Sequence, residues 1–306
     1  MRVCLTVPAG LSRAMARVEH GLARHVPPGV SVVKTHAEAD LSVLHVIGYD
    51  DALDPVVAGI RAHGGRYAVI QYCLRTTQRP STEGWRAFWA GAETVWSYYD
   101  LPALVREDGG REIDFDFYHA PIGLDAWAFH TVPVPPCRPY SMLSSGYIGE
   151  TECAYEVATA TQRVGGVHFH LGPRLPGFDP VVTRCELGLS DDQLANIYRL
   201  TRYVVGLRRV EGFELPVIEG LACGARPIVF DRPHYRRWFE PWAEFVPEGS
   251  PEDVTNALER ILREVDRPVS PTEAVSASAA FDWAHIAPAF WQHAGVGQQK
   301  QTEVSA

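Results

Sequence analysis

Two glutamates eight positions apart, Glu211 and Glu219, have the clearest potential for chemistry in this chain. Pro216 lies between them and Gly224 follows them. This spacing predicts a short helix, because proline suits the first helical turn and glycine suits the position just past a helix end. Glu211 then precedes the helix, and Glu219 lies about one turn into it. A helix N-terminus favours an anion such as a diphosphate, and each carboxylate can accept hydrogen bonds from sugar hydroxyls.

The segment around these glutamates resembles a known signature. Residues 211–229 read EGFELPVIEGLACGARPIV, which is similar to the EGFGLPVLEALACGTPVV of retaining glycosyltransferases of family 4, with their E-x7-E signature. The resemblance implies that Glu211 contacts the transferred sugar and that Glu219 contacts the nucleotide ribose. The other positions it assigns to the nucleotide sugar are Gly212, Phe213, Glu214 and Leu215. From the residues alone, the alternative is a short amphipathic helix with two solvated glutamates.

The resemblance implies an α/β protein with the GT-B fold, in which two Rossmann-like domains have parallel sheets that face each other across a cleft. Strand and helix patterns alternate along both halves, which is typical of parallel sheets covered by helices. We expect an acceptor-binding domain over 1–134 and a nucleotide-sugar-binding domain over 135–280, joined at the proline-rich stretch 131–138. Residues 281–295 are expected to form a helix that returns to the first domain, and 296–306 a disordered tail.

Composition narrows the class of protein. The 306 residues are 46% hydrophobic and 21% charged, as in soluble globular proteins. A net charge of −9 argues against nonspecific binding to nucleic acid or to anionic membranes. No apolar run is long enough for a membrane span, and the amino terminus has the pattern of a first β-strand rather than a secretory signal. The six cysteines are scattered without metal-ligand spacing, so we expect a cytoplasmic protein with reduced thiols.

Stabilising the leaving diphosphate is the main chemical need of a transfer from a nucleotide sugar. Members of the resembled family generally do this without a metal, through an Arg and a Lys near a GRLxxxKG turn. The corresponding stretch here, 144–152, reads SSGYIGETE and has neither basic residue. Arg208 and Arg209, immediately before the signature, are the proposed substitutes. The alternative for either is a salt bridge to Glu211 or Glu214.

Further arginines follow the strand predicted to end near residue 230. Arg232, Arg236 and Arg237 belong to the carboxyl side of the predicted sheet, where ligands of α/β proteins bind. For Arg236 and Arg237, a solvated helix face is the alternative interpretation.

Glycines and small residues at the ends of predicted strands are candidates for backbone contacts with the donor. Ser145 and Gly146 are expected to offer N–H groups to phosphate. Gly188 is expected to allow the nucleobase to approach the backbone closely. Glu214 replaces a glycine of the family pattern, so its side chain must turn outward or pair with a neighbouring arginine.

In the first half, His45 is the candidate for a catalytic histidine that faces the sugar, with a buried core histidine as the alternative. Gly10 and Ser12, in the turn after the first strand, are candidates for the acceptor side, together with Arg75.

These observations predict a retaining glycosyltransferase, a hexosyltransferase, that uses a UDP- or GDP-sugar and transfers to a hydroxyl by a metal-independent, front-side reaction. No cofactor is expected, because the nucleotide sugar is a substrate. The alternative is a catalytically inactive GT-B-like module that binds a nucleotide or a partner. The acceptor stays open among a lipid, a natural product, a saccharide, a protein and a hydroxylated base in viral DNA, so nucleic acid enters only as an acceptor. The oligomeric state also stays open.

Overall fold

The computed structural model describes the chain over residues 1–5, 13–47, 53–72, 83–107, 114–132, 137–146, 152–209, 213–264 and 267–296. The tail that was predicted to be disordered lies outside the described residues, except for residue 296. None of the helices in these ranges has the length and apolar character needed to span a bilayer.

The chain forms two compact units. One is Leu124–Asp282, and the other is Met1–Gly123 together with Trp283–Ala306. The boundary after Gly123 precedes the one expected after residue 134. The reason is a local pairing: the Leu124 N–H donates to the Phe281 carbonyl over 2.7 Å, and Leu124 forms a parallel bridge with Asp282. The two chain segments that enter and leave the second unit, at Leu124 and at Phe281–Asp282, thus lie side by side.

The first unit contains a parallel six-stranded sheet in the described residues, in the order β2-β1-β3-β4-β5-β6. Its strands are β1 Arg2–Cys4, β2 Ser31–Val33, β3 Leu41–Val46, β4 Arg66–Gln71, β5 Val95–Ser97 and β6 Phe117–His119. Its first helices are α1 Arg13–Arg24, α2 Leu53–Ala62, α3 Glu83–Ala90 and α4 Leu101–Glu107, and a 3-10 turn spans His36–Glu38. Every residue of β3 is buried, as expected for a central parallel strand covered on both faces.

The second unit contains another parallel sheet, with six strands among the residues that the structure describes, in the order β12-β11-β10-β7-β8-β9. The strands are β7 Tyr140–Ser145, β8 His168–Leu171, β9 Thr183–Glu186, β10 Thr201–Gly206, β11 Arg226–Phe230 and β12 Glu244–Val246. The helices are α5 Ala154–Arg163, α6 Asp191–Arg199, α7 Leu215–Ala222, α8 Pro233–Phe239, α9 Pro251–Glu264 and α10 Pro271–Ala280. Helix α6 begins at a reciprocal capping box, which Ser190 and Gln193 form.

The last helix, α11 Trp283–His293, belongs to the first unit. Its Trp283 ring lies between two glycines: a Cβ added to Gly21 of α1 would lie 2.3 Å from the indole, and one added to Gly123 would lie 2.2 Å from it. The Tyr118 hydroxyl of β6 also donates to the Ile286 carbonyl over 3.0 Å. Glycine is therefore required at both positions by the close approach of the indole ring.

We expect Gly21→Ala to lower the free energy of unfolding by about 1–3 kcal/mol, because the added methyl group overlaps a rigid, buried ring. Gly59→Ala in α2 is the matched control, since a Cβ at Gly59 meets no atom within 4 Å. That change is expected to stabilise by about 0.5–1 kcal/mol, as alanine is the better helix former. Urea unfolding followed by circular dichroism measures both. Equal effects of the two substitutions would contradict the proposed packing of Trp283.

Candidate functional site

The second sheet reverses its direction of growth between β7 and β10. From β7 the chain adds β8 and β9 on one side, and then returns to add β10, β11 and β12 on the other. Ligands of open α/β sheets bind in the crevice outside the carboxyl ends of the strands at such a switch point. The residues at this point are Ser145 and Gly146 after β7, and Leu207 and Arg208 after β10.

Arg208 lies in this crevice with its side chain 16% exposed. Its Nη2 donates to the Ser145 carbonyl over 3.1 Å and lies 3.3 Å from the Ser145 hydroxyl. Its Nε lies 3.5 Å from a carboxylate oxygen of Glu214 and 3.8 Å from one of Glu152. The structure thus brings together Ser145, Arg208 and Glu214, with the salt bridge to Glu214 that was the alternative for Arg208, and adds Glu152.

Gly146 has a left-handed backbone conformation, with φ of +128°. Its N–H donates to the Leu171 carbonyl over 3.1 Å, so this amide is engaged within the sheet and does not offer the phosphate contact that we expected. Glycine is needed here for another reason: a Cβ would lie 2.4 Å from the nearer carboxylate oxygen of Glu152. The Glu152 carboxylate therefore lies directly over the end of β7.

Glu214 pairs with an arginine, which is one of the two outcomes that the sequence left open. It is 1% exposed and precedes α7, with its side chain packed over Gly206, where a Cβ would lie 2.7 Å from the Glu214 Cγ. The Tyr235 hydroxyl lies 3.5 Å from its other oxygen. The buried Glu214 carboxylate lies against the Arg208 guanidinium and holds it in position.

Arg209 has a different environment from Arg208. It pairs with Glu248 at 3.2 Å and donates to the Gly249 carbonyl over 3.1 Å. Arg232 contacts the same Glu248 carboxylate at 2.5 Å, and both guanidinium groups lie about as close to the Phe230 ring, at 5.4 and 5.5 Å. These contacts join the ends of β10 and β11 to the loop after β12. Arg209 thus has a bracing role, whereas Arg208 is the arginine that lies at the switch point between β7 and β10.

The remaining arginines of α8 agree with the solvated helix face. Arg236 pairs with Asp231 at 2.5 Å and with Glu240 at 3.3 Å, and its guanidinium lies over the Phe245 ring. Arg237 lies over the Trp238 ring at 5.0 Å.

The predicted helix of the signature is confirmed as α7 Leu215–Ala222, with Pro216 in its first turn and Gly224 at a φ of +94° past its end. Glu219 is 3% exposed and accepts a hydrogen bond from the Tyr198 hydroxyl of α6 over 3.0 Å. A solvated glutamate is therefore wrong for this position. A buried carboxylate that accepts an aligned hydrogen bond is held in one orientation, which suits recognition of a hydroxyl pair.

The flanking positions of the signature are part of the core. Phe213 is 3% exposed and packs against Phe239 at 5.4 Å and Phe281 at 5.9 Å, and Leu215 is 8% exposed. The side chains of these two residues pack in the core and hold the start of α7 in place. Their burial does not favour a side-chain contact with the sugar.

Two buried histidines lie beneath the crevice. The Ser144 hydroxyl is 2.9 Å from His168 Nε2 and 2.8 Å from His170 Nδ1. Burial lowers the pKa of His168 to about 3 and the pKa of His170 to about 4, and the nearby Arg208 charge contributes to the shift of His170. Both imidazoles are therefore neutral near pH 7 and add no positive charge beside Arg208.

His45 agrees with the core alternative. It is 7% exposed, its Nδ1 lies 2.7 Å from the Tyr72 hydroxyl, and burial lowers the pKa of its imidazole to about 4. The ring is neutral at physiological pH and is bonded within the first unit, so its environment is that of a structural histidine.

Gly188 has a φ of +71°, and a Cβ there would meet no atom within 4 Å. The φ explains the glycine in the turn after β9, and the close approach of a nucleobase to this backbone stays a prediction. Five other candidates lie outside the described residues: Glu211, Gly212, Gly10, Ser12 and Arg75.

Glu152 is the site residue that sequence reasoning missed. The stretch 144–152 drew attention for the basic residues it lacks, whereas the carboxylate at its end is the group that contacts Arg208. An acidic residue where the family pattern has a basic turn was the available signal.

Comparison with known proteins places this geometry in a familiar fold. A family model described as glycosyl transferase-like matches residues 157–289. No curated protein matches. The structure of Anabaena HepE in complex with UDP-glucose aligns with a TM-score of 0.70 at 11% identity, over 95% of this chain and 98% of that one. The fold is that of the GT-B glycosyltransferases, as the sequence predicted.

Two other structures agree with this fold. AviGT4, a glycosyltransferase involved in avilamycin A biosynthesis, aligns with a TM-score of 0.63 at 14% identity, over 96% of this chain and 97% of that one. Sucrose-phosphate synthase from Thermosynechococcus elongatus aligns with a TM-score of 0.60 at 16% identity, over 83% of this chain and 73% of that one. Together with the family model, these matches support a transferase that acts on sugars.

Proposed function

We propose that this chain is a retaining glycosyltransferase of the family 4 type, which moves a hexose from a UDP- or GDP-sugar to a hydroxyl acceptor. The observation that supports this most is the Arg208 guanidinium at the carboxyl ends of β7 and β10, beside the start of α7. A guanidinium at the switch point of an α/β sheet is well placed to stabilise the charge on a departing diphosphate.

The two glutamates of the signature have separate roles in this proposal. Glu219, fixed by Tyr198, accepts hydrogen bonds from the ribose, and Glu211 orients the transferred sugar. The UDP-glucose bound to Anabaena HepE supports a UDP-sugar as the first donor to test. Transfer occurs on one face of the sugar, and the leaving phosphate assists deprotonation of the acceptor, without a metal.

An inactive nucleotide-binding module is the second candidate. It is favoured by one observation: Arg208 faces two carboxylates, Glu152 and Glu214, so these described residues of the crevice together carry more negative than positive charge. A hydroxylated base in DNA is the less favoured acceptor, because Arg236 already pairs with Asp231 and Glu240.

A donor screen tests the proposal. Thermal unfolding is measured with UDP-glucose, UDP-N-acetylglucosamine, UDP-galactose and GDP-mannose, since a ligand at 100 times its Kd stabilises the folded state by about 2.7 kcal/mol. The best donor is then incubated with a mixture of lipid, saccharide and phenolic acceptors, and nucleotide release is followed with and without EDTA. We expect one donor to raise the unfolding temperature, turnover that EDTA leaves unchanged, and a product that retains the anomeric configuration by NMR.

Variants of the signature connect this activity to the site. Glu219→Gln keeps a partner for Tyr198 and is expected to weaken donor binding, whereas Glu211→Ala is expected to lower turnover more than binding. Glu240→Gln on the exposed face of α8 is the control for a change of charge. Donor binding without turnover, unchanged by Glu211→Ala and Glu219→Gln, would favour the inactive module.

A further inference from the structure

Glu152 occupies the space between the end of β7 and the Arg208 guanidinium. Its backbone forms an antiparallel bridge with Arg208, which holds it at the crevice, and one carboxylate oxygen lies 3.8 Å from Arg208 Nε. The other oxygen lies 2.4 Å from the position of a Cβ on Gly146. An anion bound by Arg208 over the end of β7 requires this same space, so Glu152 and a diphosphate cannot both occupy it.

The two carboxylates around Arg208 are held differently. Glu214 is 1% exposed and packs over Gly206, so displacing it would leave a buried charge without its partner. The Glu152 side chain is 13% exposed and lies at the edge of the crevice. Its 3.8 Å separation from Nε exceeds hydrogen-bond length, and the attraction between them is therefore mainly coulombic. A phosphate that bonds directly to the guanidinium can replace it.

The balance of charge points in the same direction. In the part of the crevice that the structure describes, the Arg208 guanidinium faces two carboxylates, and the histidines beneath it are neutral. A diphosphate that entered with Glu152 still in place would meet net negative charge, which opposes its binding. Withdrawal of the Glu152 carboxylate removes one of these two negative charges from the space beside the guanidinium.

We propose that Glu152 is an internal competitor of the donor: its carboxylate holds the phosphate side of Arg208 until a diphosphate displaces it. This inference rests on the proposed function, since it takes the crevice as the diphosphate site. In the nucleotide-free protein Glu152 keeps the guanidinium pointed at the crevice, and on donor binding it withdraws. Glu152 therefore sets the affinity for the donor, whereas Glu214 fixes the position of Arg208.

Titration calorimetry of Glu152→Gln with UDP and with inorganic pyrophosphate tests this. The substitution removes the charge and keeps the shape, so we expect both ligands to bind about tenfold more tightly than to the wild-type protein. Glu156→Gln, one turn further along α5, is the matched control and is expected to change the Kd less than twofold. Glu152→Ala provides a second removal of the same charge, and thermal unfolding confirms that each variant is folded.

The outcomes separate the two proposals. Wild-type binding of UDP that neither Glu152 variant tightens overturns the inference and leaves the proposed function in place. If Glu156→Gln tightens ligand binding equally, the inference is also overturned, because the effect would then come from the overall charge of the protein. A protein that binds neither ligand in wild-type or variant form contradicts the proposed function, and the inference is lost with it. If only the Glu152 variants bind the ligands more tightly, the result supports displacement of Glu152 by the diphosphate, because disruption of the site would weaken binding.

Discussion

Arg208→Gln is expected to lower kcat for sugar transfer by about 100- to 1,000-fold, the usual effect of removing a main electrostatic contact to a developing anion. Glutamine cannot supply the charge that stabilises the leaving diphosphate, although it can still contact the Ser145 carbonyl. Steady-state kinetics with the donor found by the screen measures the effect. The loss should appear in kcat more than in KM, because the contact strengthens as charge builds on the leaving group.

Two further variants control this result. Arg208→Lys keeps the charge next to the buried Glu214 and should retain part of the activity, since a lysine cannot form the planar fork of contacts. Arg263→Gln changes an exposed arginine of α9, paired with Glu259 within its own helix, and should leave kcat within twofold of wild type. If Arg208→Gln retains more than a third of the activity while folded, Arg208 does not bind the leaving group.

Arg226→Met is expected to lower the free energy of unfolding by about 3–5 kcal/mol. The Arg226 side chain is 1% exposed at the start of β11. It donates to the carbonyls of Trp242 over 2.7 Å and Pro268 over 3.1 Å, to that of Arg267, and it contacts Glu273 at 3.4 Å. Methionine fills a similar volume but leaves these acceptors without their donor.

Urea unfolding followed by circular dichroism measures the effect of Arg226→Met. Arg263→Met is the control, because an exposed pair within a helix contributes less than about 1 kcal/mol. Arg226 lies at the amino end of its strand, opposite the carboxyl edge where the crevice is. The variant should therefore bind the donor normally at temperatures where it remains folded. A loss of stability no larger than that of Arg263→Met would show that the buried hydrogen bonds are replaced by water.

Local signals predicted the signature helix well. Proline in the first turn and glycine past the end act within a few residues, so the bounds of α7 were within reach of the sequence. Similar signals occur at α10, where Ser270 and Glu273 form a capping box and Pro271 lies in the first turn.

Whether a polar side chain is buried was harder to predict from the sequence. Glutamate at position 219 is compatible with either a solvated or a buried face of a short helix, and the choice depends on α6, which places Tyr198 against it. His45 was equally open, and Tyr72 from the neighbouring strand gives it a buried partner. In both cases the deciding contact comes from a different element of the fold.

The sequence by itself determined the α/β class, the two parallel sheets and the segment that forms the start of α7, because strand and helix periodicity and end signals are properties of consecutive residues. Only the tertiary structure showed that Arg208 and Arg209 have different partners. Neighbouring residues at a strand end point in opposite directions, and the partners of each lie in other elements: Glu152 for Arg208, and Glu248 for Arg209. These contacts exist because β10 returns to lie beside β7, and that pairing joins residues far apart in the chain.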